Sequence, residues 1–256
     1  MSDQLTLLGV GASAGTPVVG CECSTCQSTN KKNYRTRCSS LLTLKNGKNI
    51  LIDTSPDLRL QSLREGLTSV DAVLYTHHHA DHCHGIDDLR AFCQINKKQI
   101  PLYGNQFSID ELNKKFQYAM TEPNGFWEVP ILKPNVINDP VELFGQNIRP
   151  IPVFHGKALI NGYRLGNVAY LTDVSKIPDS SMEQLQNLDV LFLDCLRNEP
   201  HPTHLSVKES IEIALELKAK KTFLIHMTHD LEYDALSKIL PESIYVGYDG
   251  LKINVN

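Results

Sequence analysis

The segment Asp71-Ala-Val-Leu-Tyr-Thr76, followed at once by His77-His78-His79-Ala80-Asp81-His82, constrains this chain more than any other. A β-rich apolar run that stops in ligand-type side chains describes a strand end, where α/β proteins place their sites. His77 and His79, two apart, can converge on one cation if the segment is extended. Asp81 and His82 can then turn toward a second. His-x-His-x-Asp-His behind a buried-type strand points to metal rather than to an incidental surface tract.

The rest of the chain alternates β-rich runs with helix-like stretches, so it reads as α/β. Strands are expected at Leu5–Leu8, Ser40–Lys45, Asn49–Asp53, Ala72–Thr76, Ile100–Tyr103, Ile148–Phe154, Tyr163–Leu165, Val168–Thr172, Val190–Asp194, Thr222–His226, Ile244–Val246 and Leu251–Val255. Asn46-Gly47 between two of them predicts a type I′ hairpin, hence some antiparallel pairing. Ser108–Glu111, Ser180–Glu183 and Ser206–Glu209 have capping-box spacing and predict helix starts. No internal repeat is visible, and the irregular stretch from Asn105 to Asn147 reads as an insertion. The 256 residues suit one large α/β domain or two small ones.

Further ligands should end other strands. His155 follows Ile148–Phe154, Asp173 follows Val168–Thr172, and His226 ends Thr222–His226. Taken singly, each is an ordinary strand-end residue. Taken with Thr76-His-His-His-Ala-Asp-His82, their order resembles the metallo-β-lactamase superfamily of dinuclear hydrolases, from Gly9 to Tyr248-Asp-Gly250. That resemblance implies a single-domain αββα four-layer sandwich over residues 1–256. It also implies His77, His79 and His155 on one metal, Asp81, His82 and His226 on the other, and Asp173 bridging. Asp53 in Ile52-Asp53-Thr54 would support the metal loops without binding metal. Imidazoles and carboxylates suit Mn, Zn or Fe, and two such cations can lower the pKa of a bridging water.

Cys21-Glu-Cys23-Ser-Thr-Cys26 puts three soft ligands in one short loop. Such spacing suits a structural Zn²⁺, for which His229 is the leading fourth ligand. The remaining Cys38, Cys83, Cys93 and Cys195 read as buried reduced thiols. With this loop, Gly11-Ala-Ser-Ala-Gly15-Thr-Pro17 is similar to the PhnP-type cyclic phosphodiesterases. The resemblance implies hydrolysis of small cyclic phosphate esters by a metal-bridging hydroxide, with His204 as the acid that protonates the leaving oxygen. Arg197 is a candidate phosphate clamp, although a loop Arg is more often solvated. The same ordinary reading applies to Arg35 and Arg37, while Trp127 is a candidate for a lid or for a satellite apolar cluster.

The net charge is −4, and Asn105–Asn147 holds Lys114, Lys115 and Lys133 against Asp110, Glu111, Glu122, Glu128, Asp139 and Glu142. That balance disfavours a nucleic-acid partner and the rival tRNA 3′-processing endonuclease. The expected partner is a small cyclic phosphate. No apolar run is long enough for a membrane span. The N-terminus lacks a basic, apolar leader, so a cytoplasmic location is expected. Oligomeric state, a homodimer included, stays open.

Overall fold

The computed structural model describes residues 2–120 and 132–255. Two seven-stranded sheets carry the chain. The first contains β1 (Asp3–Gly9), β2 (Ser39–Thr43), β3 (Asn49–Ile52), β4 (Ala72–Leu74), β5 (Ile100–Gly104) and β6 (Leu132–Val136). The second contains β7 (Val141–Leu143), β8 (Gln146–His155), β9 (Ala158–Leu165), β10 (Val168–Leu171), β11 (Val190–Asp194), β12 (Lys221–Ile225) and β13 (Ile244–Val246). Strand β14 (Lys252–Val255) returns to pair with β1. Every expected strand is present. β9 starts five residues earlier than expected, because Ala158–Asn161 pairs with Pro152–His155 across a tight turn.

The two sheets share one pairing pattern that the sequence does not display as a repeat. From β14 to β3 the neighbours are antiparallel, and from β3 to β6 they are parallel. From β7 to β10 they are antiparallel, and from β10 to β13 parallel. The C-terminal ends of β3, β4, β10, β11 and β12 lead into the candidate site.

Alternation along the strands builds the layers. Leu42, Ile50, Ile52 and Leu74 share one buried cluster with Ile151, Val153, Tyr163 and Leu171 of the second sheet. Leu41, Leu51, Val73 and Tyr75 point the other way. There they meet α1 (Leu58–Glu65), α3 (Leu89–Asn96) and α4 (Gln106–Lys115). Between these helices lies α2 (Ala80–Cys83), and α5 (Gln117–Met120) follows α4. On the second sheet, α6 (Asp179–Gln184), α7 (Val207–Leu217) and α8 (Tyr233–Ile239) contact β8, β11 and β13. Burial on both faces explains why the central strands read as unbroken apolar runs. The result is the expected αββα sandwich.

Several local expectations change. Only Ser206 forms the full capping box, with its side chain on the Glu209 N–H and Glu209 on the Ser206 N–H. Ser108 lies inside α4, whose cap is Asn105, and Ser180 lies inside α6 after Pro178. At the hairpin, Gly47 alone takes positive φ, and its N–H closes a turn onto the Leu44 carbonyl. The type I′ turn is therefore replaced by one needing a single left-handed residue. The supposed insertion is structural: α4 packs on β6, and β6 and β7 extend the two sheets. Trp127, Glu122 and Glu128 lie outside the described residues. No helix among the described residues is long and apolar enough to cross a membrane.

Candidate metal centres

Three residues just past parallel strand ends have left-handed backbones: Asp53 (φ 58°), Asp173 (φ 59°) and His226 (φ 59°). Such conformations cost about 1–3 kcal/mol each in non-glycine residues and persist only where neighbours enforce them. Here the neighbours are visible. Asp53 accepts from the Thr76 N–H (2.8 Å) and hydroxyl (2.7 Å), which fixes the start of the His loop. The Asp173 N–H donates to Asp194 Oδ1 at 3.0 Å.

These turns aim the expected ligands at one another. The ligand atoms of His77, His79 and His155 form one group, and those of Asp81, His82, Asp173 and His226 another, each within 4.8 Å. Asp173 stands between the groups. Its Oδ1 is 3.8 Å from His77 Nε2, while its Oδ2 is 3.1 Å from His82 Nε2 and 3.5 Å from His226 Nε2. Asp81 Oδ2 lies 3.4 Å from His82 Nε2 and 3.5 Å from His226 Nε2.

Protonation supports a cation-binding role. His82 Nδ1 donates to Asp53 Oδ2 at 2.8 Å, and His155 Nδ1 to the Thr203 carbonyl at 2.8 Å. In its neutral form each ring would then present the Nε2 lone pair to the centre. The Nε2 atoms of His77, His82 and His226 are buried without a hydrogen-bond partner. Burial, with neighbouring imidazoles, pushes His77 well below its usual value. Burial would raise Asp81 and Asp173, but the surrounding imidazoles outweigh it and hold both carboxyls far down. Burial would lower His82 and His226, but Asp173 and the neighbouring carboxylates outweigh it and push both up, so imidazoles and ionised carboxylates converge in a nitrogen and oxygen donor set that fits divalent cations.

His204 Nε2 lies 3.9 Å from Asp173 Oδ1, and its ring stacks on His226 with centroids 4.9 Å apart. Its Nδ1 is 3.3 Å from Asp194 Oδ1. Asp194 is a site residue that sequence reasoning did not single out. It also accepts from the Leu205 N–H and faces His226 Nδ1 at 3.4 Å. The only local signal was an acidic residue closing an apolar strand.

The His loop is seated by a close backbone approach. The Gly85 N–H donates to the Thr54 carbonyl at 2.9 Å, and a Cβ on Gly85 would stand 2.0 Å from the Ser55 carbonyl oxygen. Gly85→Ala must therefore displace backbone. Denaturant melts should show a loss at or above the usual overpacking range of about 1–3 kcal/mol.

A second cluster joins the N-terminal loop to the β12 edge. His229 Nδ1 lies 3.2 Å from Cys21 Sγ, 3.5 Å from Cys23 Sγ and 3.3 Å from Cys26 Sγ. These are close to the ~3.5 Å edge of a tetrahedron with Zn–S near 2.3 Å and Zn–N near 2.0 Å. The other four cysteines are buried and form no disulfide.

The arginine expectations change. Arg197 does not reach the centre; its guanidinium donates to the carbonyls of Glu199 and Pro200. Arg35 is fully buried and donates to the Thr228 and Leu231 carbonyls, bracing the turn that carries His229. Arg37 forks onto Asp57 at 2.8 and 2.6 Å.

A convergent His/Asp centre at one edge of an αββα sandwich defines a metal-dependent hydrolase. The Beta-lactamase superfamily domain matches residues 48–227, and a crystal structure of a PhnP-family diphosphatase is 43% identical with TM-score 0.93. That likeness covers 99% of this chain and 98% of the diphosphatase. The chain belongs to the β-lactamase superfamily and, within it, to the PhnP family.

The Zn²⁺-bound PqqB of Methylobacterium extorquens shares the fold at TM-score 0.78 and 18% identity, covering 98% of this chain and all of that one. The short form of human tRNase Z does so at 0.70 and 16%, covering 99% of each. A Porphyromonas gingivalis (strain ATCC BAA-308 / W83) protein named octanoyltransferase is 37% identical over 251 residues. The match takes in 96% of this chain but 50% of that relative, so the chain spans about half its length.

Proposed function

We propose that this protein is a metal-dependent phosphodiesterase acting on small cyclic phosphate esters. The observation that carries the reading is Asp173, with one oxygen toward each ligand group and His204 beside it. His77, His79 and His155 would hold one divalent cation; Asp81, His82 and His226 would hold the other; Asp173 would serve both. Mn, Zn or Fe fits these nitrogen and oxygen donors, and Zn fits the Cys/His cluster. Two such cations supply Lewis acidity and a water of lowered pKa.

The protein's own groups do the rest. Asp53 and Thr203 hold the His82 and His155 rings with Nε2 inward. Ser13 Oγ donates to Asp81 Oδ2 at 2.8 Å and orients that carboxylate. Asp194 keeps the proton of His204 on Nδ1 in the resting tautomer, so Nε2 faces the centre. A proton carried on Nε2 would pass to the departing oxygen, making His204 the general acid.

The relative called a diphosphatase supports a second reading, cleavage of a diphosphate linkage at the same centre. Metal-loaded protein should be assayed on 2′,3′-cyclic nucleotides, phosphoribosyl cyclic phosphate, nucleoside diphosphates and a precursor tRNA. Turnover of the cyclic esters supports the first reading; turnover of diphosphates alone supports the second. His204→Ala should keep its metal while kcat falls about 10²–10⁴-fold, the usual contribution of a positioned acid. Equal loss of metal and rate would show His204 to be a ligand instead.

A further inference from the structure

A cavity of about 330 Å³ adjoins His204, and His201 lines it beside that residue, with the two ring centroids 5.2 Å apart. The other walls come from the Ala12–Val18 segment, Leu196 and the Thr228–Asp230 turn. Neither the two metal centres nor the proton transfer uses His201.

Its ring is engaged at one nitrogen and open at the other. The Thr203 N–H donates to His201 Nδ1 at 3.3 Å, and Thr203 Oγ1 lies 3.1 Å from the same atom. A backbone N–H can only donate. Nδ1 is therefore the acceptor, and Nε2 carries the proton of the neutral ring. The hydrogen bonds of His201 all fall on Nδ1, so among the described residues its Nε2–H has no acceptor. The other side-chain donors on the cavity wall are occupied. Ser13 Oγ donates to Asp81 Oδ2, Thr228 Oγ1 donates to Asp230 Oδ2, and His229 Nε2 faces Asp230 Oδ1 at 3.8 Å.

The location has a chemical meaning. A general acid comes within about 3 Å of the oxygen it protonates, so the atoms attached to that oxygen lie in space bordered by His204. His201 borders the same space, one ring away. An imidazole N–H donates to hydroxyl, ring and phosphate oxygens alike, so it does not sort leaving groups by charge. It sorts them by whether they carry a second acceptor.

We propose that His201 is a specificity-determining residue: its Nε2–H donates to a second oxygen of the leaving group, close to the oxygen that His204 protonates, and so favours sugar-like leaving groups over those lacking such an acceptor. The inference rests on the phosphodiesterase reading, with His204 as its acid.

Kinetics of the metal-loaded parent, His201→Asn and His201→Gln test it, with rates expressed per filled His/Asp centre. The substrates are 2′,3′-cyclic CMP, whose leaving ribose carries further oxygens, and bis(p-nitrophenyl) phosphate, whose leaving aryl group has none beside the departing one. Asn keeps an acceptor for the Thr203 N–H but offers no donor at the Nε2 position. Gln reaches that position with an N–H but gives up the Nδ1 acceptor. The ratio of kcat/KM for cyclic CMP to that for the aryl diester should fall about 3–10-fold in His201→Asn, mostly through KM, as for one lost neutral hydrogen bond. His201→Gln should stay within about twofold of the parent ratio. The reverse order, with Asn closer to the parent, would show that His201 only braces the Thr203 turn, and would overturn the specificity role. Equal ratios in the two variants would overturn it as well. A parent that cleaves the aryl diester but not cyclic CMP leaves the diesterase chemistry standing and overturns this inference. A parent that cleaves neither overturns the phosphodiesterase reading, and the role of His201 falls with it.

Discussion

An Asp173→Asn protein should lose more than about 10²-fold in kcat/KM, exceeding the 10–100-fold typical of an outer-shell partner. Its far-ultraviolet circular dichroism should be unchanged. Asn is the informative replacement, because it tolerates the left-handed backbone that Asp173 adopts at φ 59°. Its N–H can still donate to Asp194, as the parent's does at 3.0 Å. What changes is the charge placed between the His77 side and the His82/His226 side of the centre. Both ligand groups should lose metal affinity together. Asp53→Asn, also at a left-handed position (φ 58°), alters a side chain that bonds the His82 ring and the Thr76 turn. It should fall within the outer-shell range. A larger effect at Asp53 than at Asp173 would invert the proposed hierarchy.

The second large effect belongs to the Cys/His cluster. Cys26→Ser removes the buried thiol of the set, which lies 203 positions from His229. A metal tying such distant points limits the unfolded chain much as a cross-link does. The chain-entropy treatment gives at most about 5 kcal/mol for a closure of this length. For a protein of this size that corresponds to a fall in Tm of about 10–20 °C. Packing holds only the end of the loop, since Glu22, Cys23 and Ser24 are exposed while Thr25 and Cys26 are buried. Adding a chelator to the parent should lower its Tm by at least this much, and adding it to Cys26→Ser should remove only the share owed to the His/Asp centre. A parent whose Tm ignores chelation would show that the cluster holds no stabilising metal.

The convergence of the His/Asp cluster was legible because its residues follow strand ends, and strand ends are written locally as apolar runs that stop. His77, Asp173 and His226 all carry that signature. The Cys21–Cys26 loop was legible from spacing alone, while His229 needed only its nearness to His226. Asp194 was hidden for a different reason. Its carboxylate matters because β11 lies between β10 and β12, which brings it to Asp173, His204 and His226 at once. Sheet order is not encoded in any short segment. Arg35 was misread because burial of its charge depends on carbonyls almost two hundred residues away. Ser108 and Ser180 show the limit of cap motifs: Asn105 and Pro178 begin those helices earlier, so the same spacing falls inside them. β6 was missed because Lys133, Pro134 and Asn135 sit on an edge strand, where Pro and polar residues are tolerated, and β7 because it is an edge strand of three residues, Val141–Leu143.

The most direct measurement is a metal titration of stripped protein, with hydrolysis of a cyclic phosphodiester and metal content followed together. The account predicts that activity appears only as the His/Asp centre fills, reaches its plateau at two divalent ions there, and is absent in Asp173→Asn at any metal concentration. Full activity with that centre empty, or a filled centre with no phosphoester hydrolysis, would contradict it.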